Sequence, residues 1–104
     1  MIVHLSATAK RDLRQAAKYL DRETGNPGIA NRLYDEIEHV LDLIGENPLM
    51  GREWMELSPG LRGFPHGDYM IFWRIKKAEV QITRIIHQKQ DIARAFKPRG
   101  GRAR

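Results

Sequence analysis

Apolar residues in this chain recur with a helical period as far as Ile44 and with a strand period from Tyr69 onward, and the change falls across a stretch rich in proline and glycine. That switch limits the fold more than any single motif does, because a helix stripe and an alternating strand must each bury one face against something else. Ala9, Leu13, Ala16, Ala17 and Leu20 share one helix face, with Lys10, Arg11, Arg14, Gln15 and Lys18 outside it. Ser6 or Thr8 can cap this helix, and Gly25 supplies a left-handed residue to end it. Asn26-Pro27 then starts a second helix, with proline at the position where its missing N–H costs nothing. Ala30, Leu33, Ile37, Val40, Leu41 and Ile44 form its stripe, and Gly45 and Pro48 close it. Two helices joined by so short a break are expected to lie antiparallel as a hairpin.

The stretch NPLMGREWMELSPGLRGFPHG reads as a long loop followed by an irregular strand around Leu61 to Phe64. Two further strands follow, with a tight turn at Lys77-Ala78. Tyr69, Ile71, Trp73 and Ile75 share one face of the first; Val80, Ile82, Arg84 and Ile86 share one face of the second. The turn carries no Asn-Gly or Asp-Gly signal. A two-residue loop would put Trp73 opposite Ile82 and Arg84 opposite Ile71, leaving an arginine on an apolar face that needs a partner or an edge position. With the apolar run Ile2, Val3 and Leu5 as a first strand, the expected class is α+β: an N-terminal strand, a two-helix hairpin on a small twisted antiparallel sheet, and a short C-terminal helix.

At 104 residues the chain is long enough for one modest core. The domain is expected over residues 1–96. Residues 97–104 (KPRGGRAR) read as a basic tail, and they carry most of the net charge of +5. Without the tail the domain is close to neutral, so charge alone does not argue for nucleic-acid binding. The absence of cysteine rules out disulfides, thiolate metal sites and cysteine nucleophiles. No stretch approaches the ~20 apolar residues of a membrane span, and MIVHLSATAK lacks a signal-peptide core. The expected location is cytoplasmic, with no membrane partner.

Residues able to carry chemistry cluster in the second half: Glu56, Arg62, Arg74, Arg84, His87, Lys89 and Asp91. RNA cleavage by a 2′-hydroxyl needs a base, an acid and cations for the growing phosphate charge. His87 or Glu56 could serve as base, with Arg62 and Arg74 as stabilisers. A histidine closing a strand serves equally well as a structural residue bonded to backbone. His4, His39, His66 and His87 fall in four elements with no ligand spacing, so no metal is expected. Trp54, Met55 and Leu57 either cover the end of the sheet or line a groove for a partner helix.

The stretches LSATAKRDLRQAAKYL, LDLIGENPLMGREW, LSPGLRGFPHGDYMIFWRI and VQITRIIHQKQDIARAF, in that order, resemble the ParE toxins of type II toxin–antitoxin modules, within the ParE/RelE superfamily. The telling parts are Ala9 with Asp12-Leu13, Asn47-Pro48 with Gly51-Arg52, Leu61-Arg62 with Phe64-Pro65, and His87 with Asp91-Ile92. The resemblance implies the same fold, a ParD-like antitoxin that wraps the toxin, and DNA gyrase as a target poisoned without nuclease chemistry. It implies no cofactor and no specific DNA binding by the toxin alone. Target contacts would fall on Arg62, Arg74, His87, Lys89 and Asp91; antitoxin contacts would fall on Leu13, Tyr34, Trp54, Met55 and Leu57. The alternative is a RelE-like ribosome-dependent mRNA endoribonuclease using Arg62, Arg74 and His87. The RelE branch often carries a C-terminal tyrosine, whereas the last aromatic here is Phe96, which has no hydroxyl. Gln90 stands where the ParE pattern usually has arginine.

Overall fold

A computed structural model describes residues 1–90 and 92–96; Asp91 and the tail 97–104 lie outside the described residues. The element order is β1 (Val3–Leu5), α1 (Ala7–Thr24), α2 (Pro27–Glu46), β2 (Arg52–Glu53), β3 (Arg62–His66), β4 (Tyr69–Lys76), β5 (Glu79–His87) and α3 (Ile92–Ala95). Both helix starts use the expected caps. Ser6 Oγ accepts the Ala9 N–H at 3.0 Å, and Asn26 Oδ1 accepts the Gly28 N–H at 2.9 Å ahead of Pro27. Gly25 ends α1 in the left-handed region at φ 64° and returns its N–H to the Asp21 carbonyl.

The five strands form one sheet in the order β1-β5-β4-β3-β2. Strands β2 to β5 are antiparallel, but β1 runs parallel to β5, so the sheet is mixed. Sequence patterning could not supply this pairing: β1 and β5 are joined only through the whole hairpin and the three strands after it. Parallel pairing is the geometry a strand reaches when its connection crosses over the sheet through helices.

The turn at Lys77 and Ala78 is two residues long, with φ of 54° and 61°. Positive φ at both central positions is the hairpin turn whose twist matches the strands, here without glycine or asparagine. Trp73 accordingly faces Ile82. One residue further the register slips. A bulge between Phe72 and Trp73 leaves Arg84 opposite Phe72 and Ile85 opposite Ile71. The expectation of Arg84 opposite Ile71 is therefore corrected, and so is the placement of Ile86 on the face of Val80 and Ile82. After the bulge Ile85 takes the helix-facing side, and Ile86 turns to the other.

Each side of the sheet has its own core. On the helix side Leu13, Ile37, Val40 and Ile44 meet Ile71, Trp73, Val80, Ile82 and Ile85. On the outer side Leu61, Met70, Phe72 and Ile86 lie beneath Trp54, Leu57, Ile92, Ala95 and Phe96. Strand β4 is thus buried on both faces from Met70 to Trp73, although only one face carries long helices. The outer cover is the irregular 54–61 segment and the single turn of α3. Trp54 and Phe96 both meet the Phe72 ring edge to face, with centroids 5.5 and 5.0 Å away.

Candidate functional site

The N-terminal end of α1 passes the edge of β5 just beyond the last β1 pair, Leu5 with Ile82. There β5 has lost its strand neighbour, and side chains take over. Ser6 Oγ donates to the Thr83 carbonyl at 3.1 Å, beside the bulge. Asp12 accepts three hydrogen bonds: from Arg84 Nε at 2.7 Å, from Arg84 Nη2 at 3.0 Å, and from the Ile85 N–H at 2.9 Å. The two-pronged arginine–carboxylate contact is the strong, orienting kind. The Asp12 side chain is 9% exposed and that of Arg84 24%. Arg84 Nη1 also donates to the Ala95 carbonyl at 3.1 Å, so one guanidinium ties α1, β5 and α3 together. The bulge has given the arginine both an edge position and a partner.

Beyond this clamp a cleft of about 440 Å³ opens between α1 and the ends of β4 and β5. Asp12, Gln15, Ala16 and Tyr19 line it from α1, and Tyr69, His87, Lys89 and Gln90 line it from the sheet side. The Tyr69 ring meets the His87 ring edge to face at 5.2 Å. Burial, with Asp68 and Tyr19 adding smaller effects, pushes the Tyr69 phenol above its ordinary range, so it stays a neutral donor.

A tight turn fixes His87. Its Nδ1 accepts the Lys89 N–H at 3.1 Å, its own N–H donates to Gln90 Oε1 at 3.1 Å, and its carbonyl accepts the Gln90 N–H at 2.9 Å. A neutral imidazole has one ring lone pair, and a backbone N–H already occupies it. The ring proton therefore sits on Nε2, and His87 faces the cleft as a donor. It cannot act as a general base unless the Lys89 contact breaks. Gln90 explains itself in the same turn, since its amide oxygen accepts where an arginine has no acceptor to offer.

The other expected target residues lie elsewhere. Arg62 is cross-strand from Trp73, four residues along β4 from the Tyr69–His87 pair, or about 14 Å away at strand rise. Its guanidinium donates to the carbonyls of Leu49 (2.6 Å) and Met50 (3.1 Å) and pins that loop to the sheet. Arg74 alternates to the outer face, where it donates to the Pro59 carbonyl at 2.7 Å and to Ser58 Oγ at 2.6 Å. Arg62, Arg74 and His87 thus divide between two faces and two ends of the sheet. Glu56 bonds Arg52 at 2.9 Å, and that contact holds its carboxyl below the usual carboxylate range. His87 and Lys89 share the cleft, while Asp91 lies outside the described residues.

Of the expected antitoxin contacts, Leu13 is buried in the helix-side core and is not available on the surface. Its place in the α1 stripe already assigns it inward. Trp54 and Leu57 pack onto the outer core, with Arg52 stacked 3.9 Å over the Trp54 ring. Met55, 59% exposed, and Tyr34, 39% exposed, present apolar surface. Tyr34 borders a hollow of about 270 Å³ between α1 and α2 that Arg14, Lys18, Ala17 and Ala30 also line. Sequence reasoning missed Gln15 and Tyr19 as cleft residues. The signal existed: Asp12, Gln15, Ala16 and Tyr19 follow helical spacing along the flank of the apolar stripe.

The family model described as the ParE toxin of the type II toxin–antitoxin system parDE matches residues 3–92. Toxin ParE1 of Caulobacter vibrioides is 32% identical over 87 residues, covering 84% of this chain and 88% of the relative. Toxin ParE1 of Mycobacterium tuberculosis is 30% identical over 66 residues, covering 62% of this chain and 67% of the relative. Among solved structures, a chain of the chromosomal ParDE toxin–antitoxin system from P. aeruginosa superposes with a TM-score of 0.71 at 21% identity, covering 84% of this chain and 95% of that one. A chain of the toxin–antitoxin complex RelBE2 from Mycobacterium tuberculosis gives 0.55 at 23% identity, covering 83% and 95%.

Proposed function

This chain belongs to the ParE family of type II toxin–antitoxin toxins, and from that premise we propose that it arrests growth by binding DNA gyrase and is neutralised by a ParD-like antitoxin. The observation that carries a binding mechanism is the dispersal of the would-be nuclease residues. Arg62 and Arg74 spend their guanidinium groups on loop carbonyls, and His87 spends its lone pair on a backbone N–H. General acid–base cleavage requires those groups within hydrogen-bond reach of one substrate. What remains accessible is recognition surface: His87 and Lys89 around the cleft toward the target, and Tyr34 and Met55 toward the antitoxin, with Trp54 and Leu57 adding only the edges left outside the outer core. The hollow beside Tyr34, which Ala17 and Ala30 also line, offers small residues for an antitoxin side chain to pack against.

A gyrase supercoiling assay with purified toxin tests this reading. Inhibition that rises with toxin concentration and is relieved by co-purified antitoxin is expected. Site-specific cuts in mRNA on translating ribosomes, with supercoiling untouched, would instead assign the chain to the RelE-like nuclease reading.

A further inference from the structure

The cleft between α1 and the ends of β4 and β5 is lined by aromatic rings and polar side chains. Tyr19 and Tyr69 bring aromatic rings to the lining, and Ala16 adds a small side chain beside them. Groups able to donate hydrogen bonds share the lining: His87 Nε2–H, whose tautomer the Lys89 contact sets, together with the Lys89 ammonium, the Gln15 amide and the two phenols. Among the described residues lining it, the one carboxylate is Asp12, already engaged by Arg84 and the Ile85 N–H. Asp68 neighbours Tyr69 in sequence but does not line the cleft. The charge of Arg84 is balanced by Asp12, so Lys89 is the cation left for a ligand among those lining residues. One free cation with neutral donors matches a singly charged carboxylate better than a phosphate dianion, which calls for paired cations or an arginine fork.

We propose that this cleft receives an acidic segment of the toxin's protein target: a carboxylate on Lys89 and His87 Nε2–H, with a neighbouring aromatic side chain between Tyr19 and Tyr69. The proposal rests on the reading that the chain acts by binding a protein, and it names the feature that is gripped.

The test is a backbone-amide NMR titration of the full chain with a short synthetic peptide alternating phenylalanine and glutamate. Its glutamine counterpart and phenyl phosphate serve as parallel probes. Saturable shifts at Tyr19, Tyr69, His87 and Lys89 are expected with the acidic peptide. Replacing the exposed Lys89→Glu should weaken binding about tenfold or more, as loss of a charge-assisted hydrogen bond requires. Tyr19→Ala should weaken it too, with the thermal midpoint of each variant showing the fold retained. Absence of shifts in the cleft, equal binding of the glutamine peptide, or tighter binding of phenyl phosphate each overturns the assignment. Supercoiling assays separate this outcome from the function itself. Gyrase inhibition that survives both substitutions sinks the cleft and leaves the toxin reading standing. Cleft binding without gyrase inhibition sinks gyrase as the target and leaves the cleft standing.

Discussion

Replacing Asp12→Ala removes the acceptor for three hydrogen bonds at once, two from Arg84 and one from the Ile85 N–H. The Ile85 residue is 4% exposed, so its amide is left with little water to bond, at a cost of about 1–3 kcal/mol. Breaking a fully buried ion pair costs about 3–5 kcal/mol. Arg84 keeps 24% of its side chain in solvent, so its share falls well below that. Together these give about 2–4 kcal/mol, against a total stability of about 5–15 kcal/mol for a domain of this size. Urea unfolding followed by the fluorescence of Trp54 and Trp73 reads the loss as a lower midpoint with unchanged slope. Asp12→Asn, which keeps one acceptor for the Ile85 N–H, should fall between wild type and Asp12→Ala. Arg84→Met combined with Asp12→Leu should recover part of the loss, because no charge is then stranded. A loss under about 0.5 kcal/mol for Asp12→Ala, in the range of an ordinary surface substitution, would refute the clamp.

Three further outcomes follow from the same geometry. Gly51 has φ +78°, and a Cβ there would stand 2.5 Å from the Gly63 carbonyl oxygen. Gly51→Ala should therefore cost about 2 kcal/mol or more by denaturant unfolding, and a neutral result would mean the loop shifts freely. Because the folded-state pKa of Tyr69 is raised, the unfolded chain loses its phenolic proton first. Stability should then decline as pH climbs past about 10 and continue falling until the folded phenol ionises. Tyr69→Phe should flatten that alkaline decline in a series of melting curves, while an unchanged slope would locate its cause elsewhere. Met55→Glu, at an exposed position, should leave the thermal midpoint in place yet weaken antitoxin binding by about tenfold or more in calorimetry. An unchanged affinity would remove Met55 from the interface.

Local chemistry was enough to write down the helical hairpin. The Ser6 and Asn26-Pro27 caps, Gly25, and the stripes ending at Ile44 act over a few residues, so the sequence alone determines them. The place of the turn at Lys77-Ala78 was legible for the same reason, but its length, and with it the Trp73–Ile82 pairing, stayed conditional until the structure showed two residues with positive φ. What lies further from the turn was decided by tertiary structure. The bulge beside Phe72 and the parallel seat of β1 depend on contacts between residues more than seventy positions apart, which no local period encodes. The cleft belongs to this second class: α1 supplies Asp12 and Tyr19, β4 supplies Tyr69, and the turn after β5 aims His87. Sequence could name the histidine at the strand end, but only the fold could show that its lone pair is already taken. Hydrogen-bond direction depends on which groups the chain brings within 3 Å, and that proximity exists only once the helices and sheet have closed on each other.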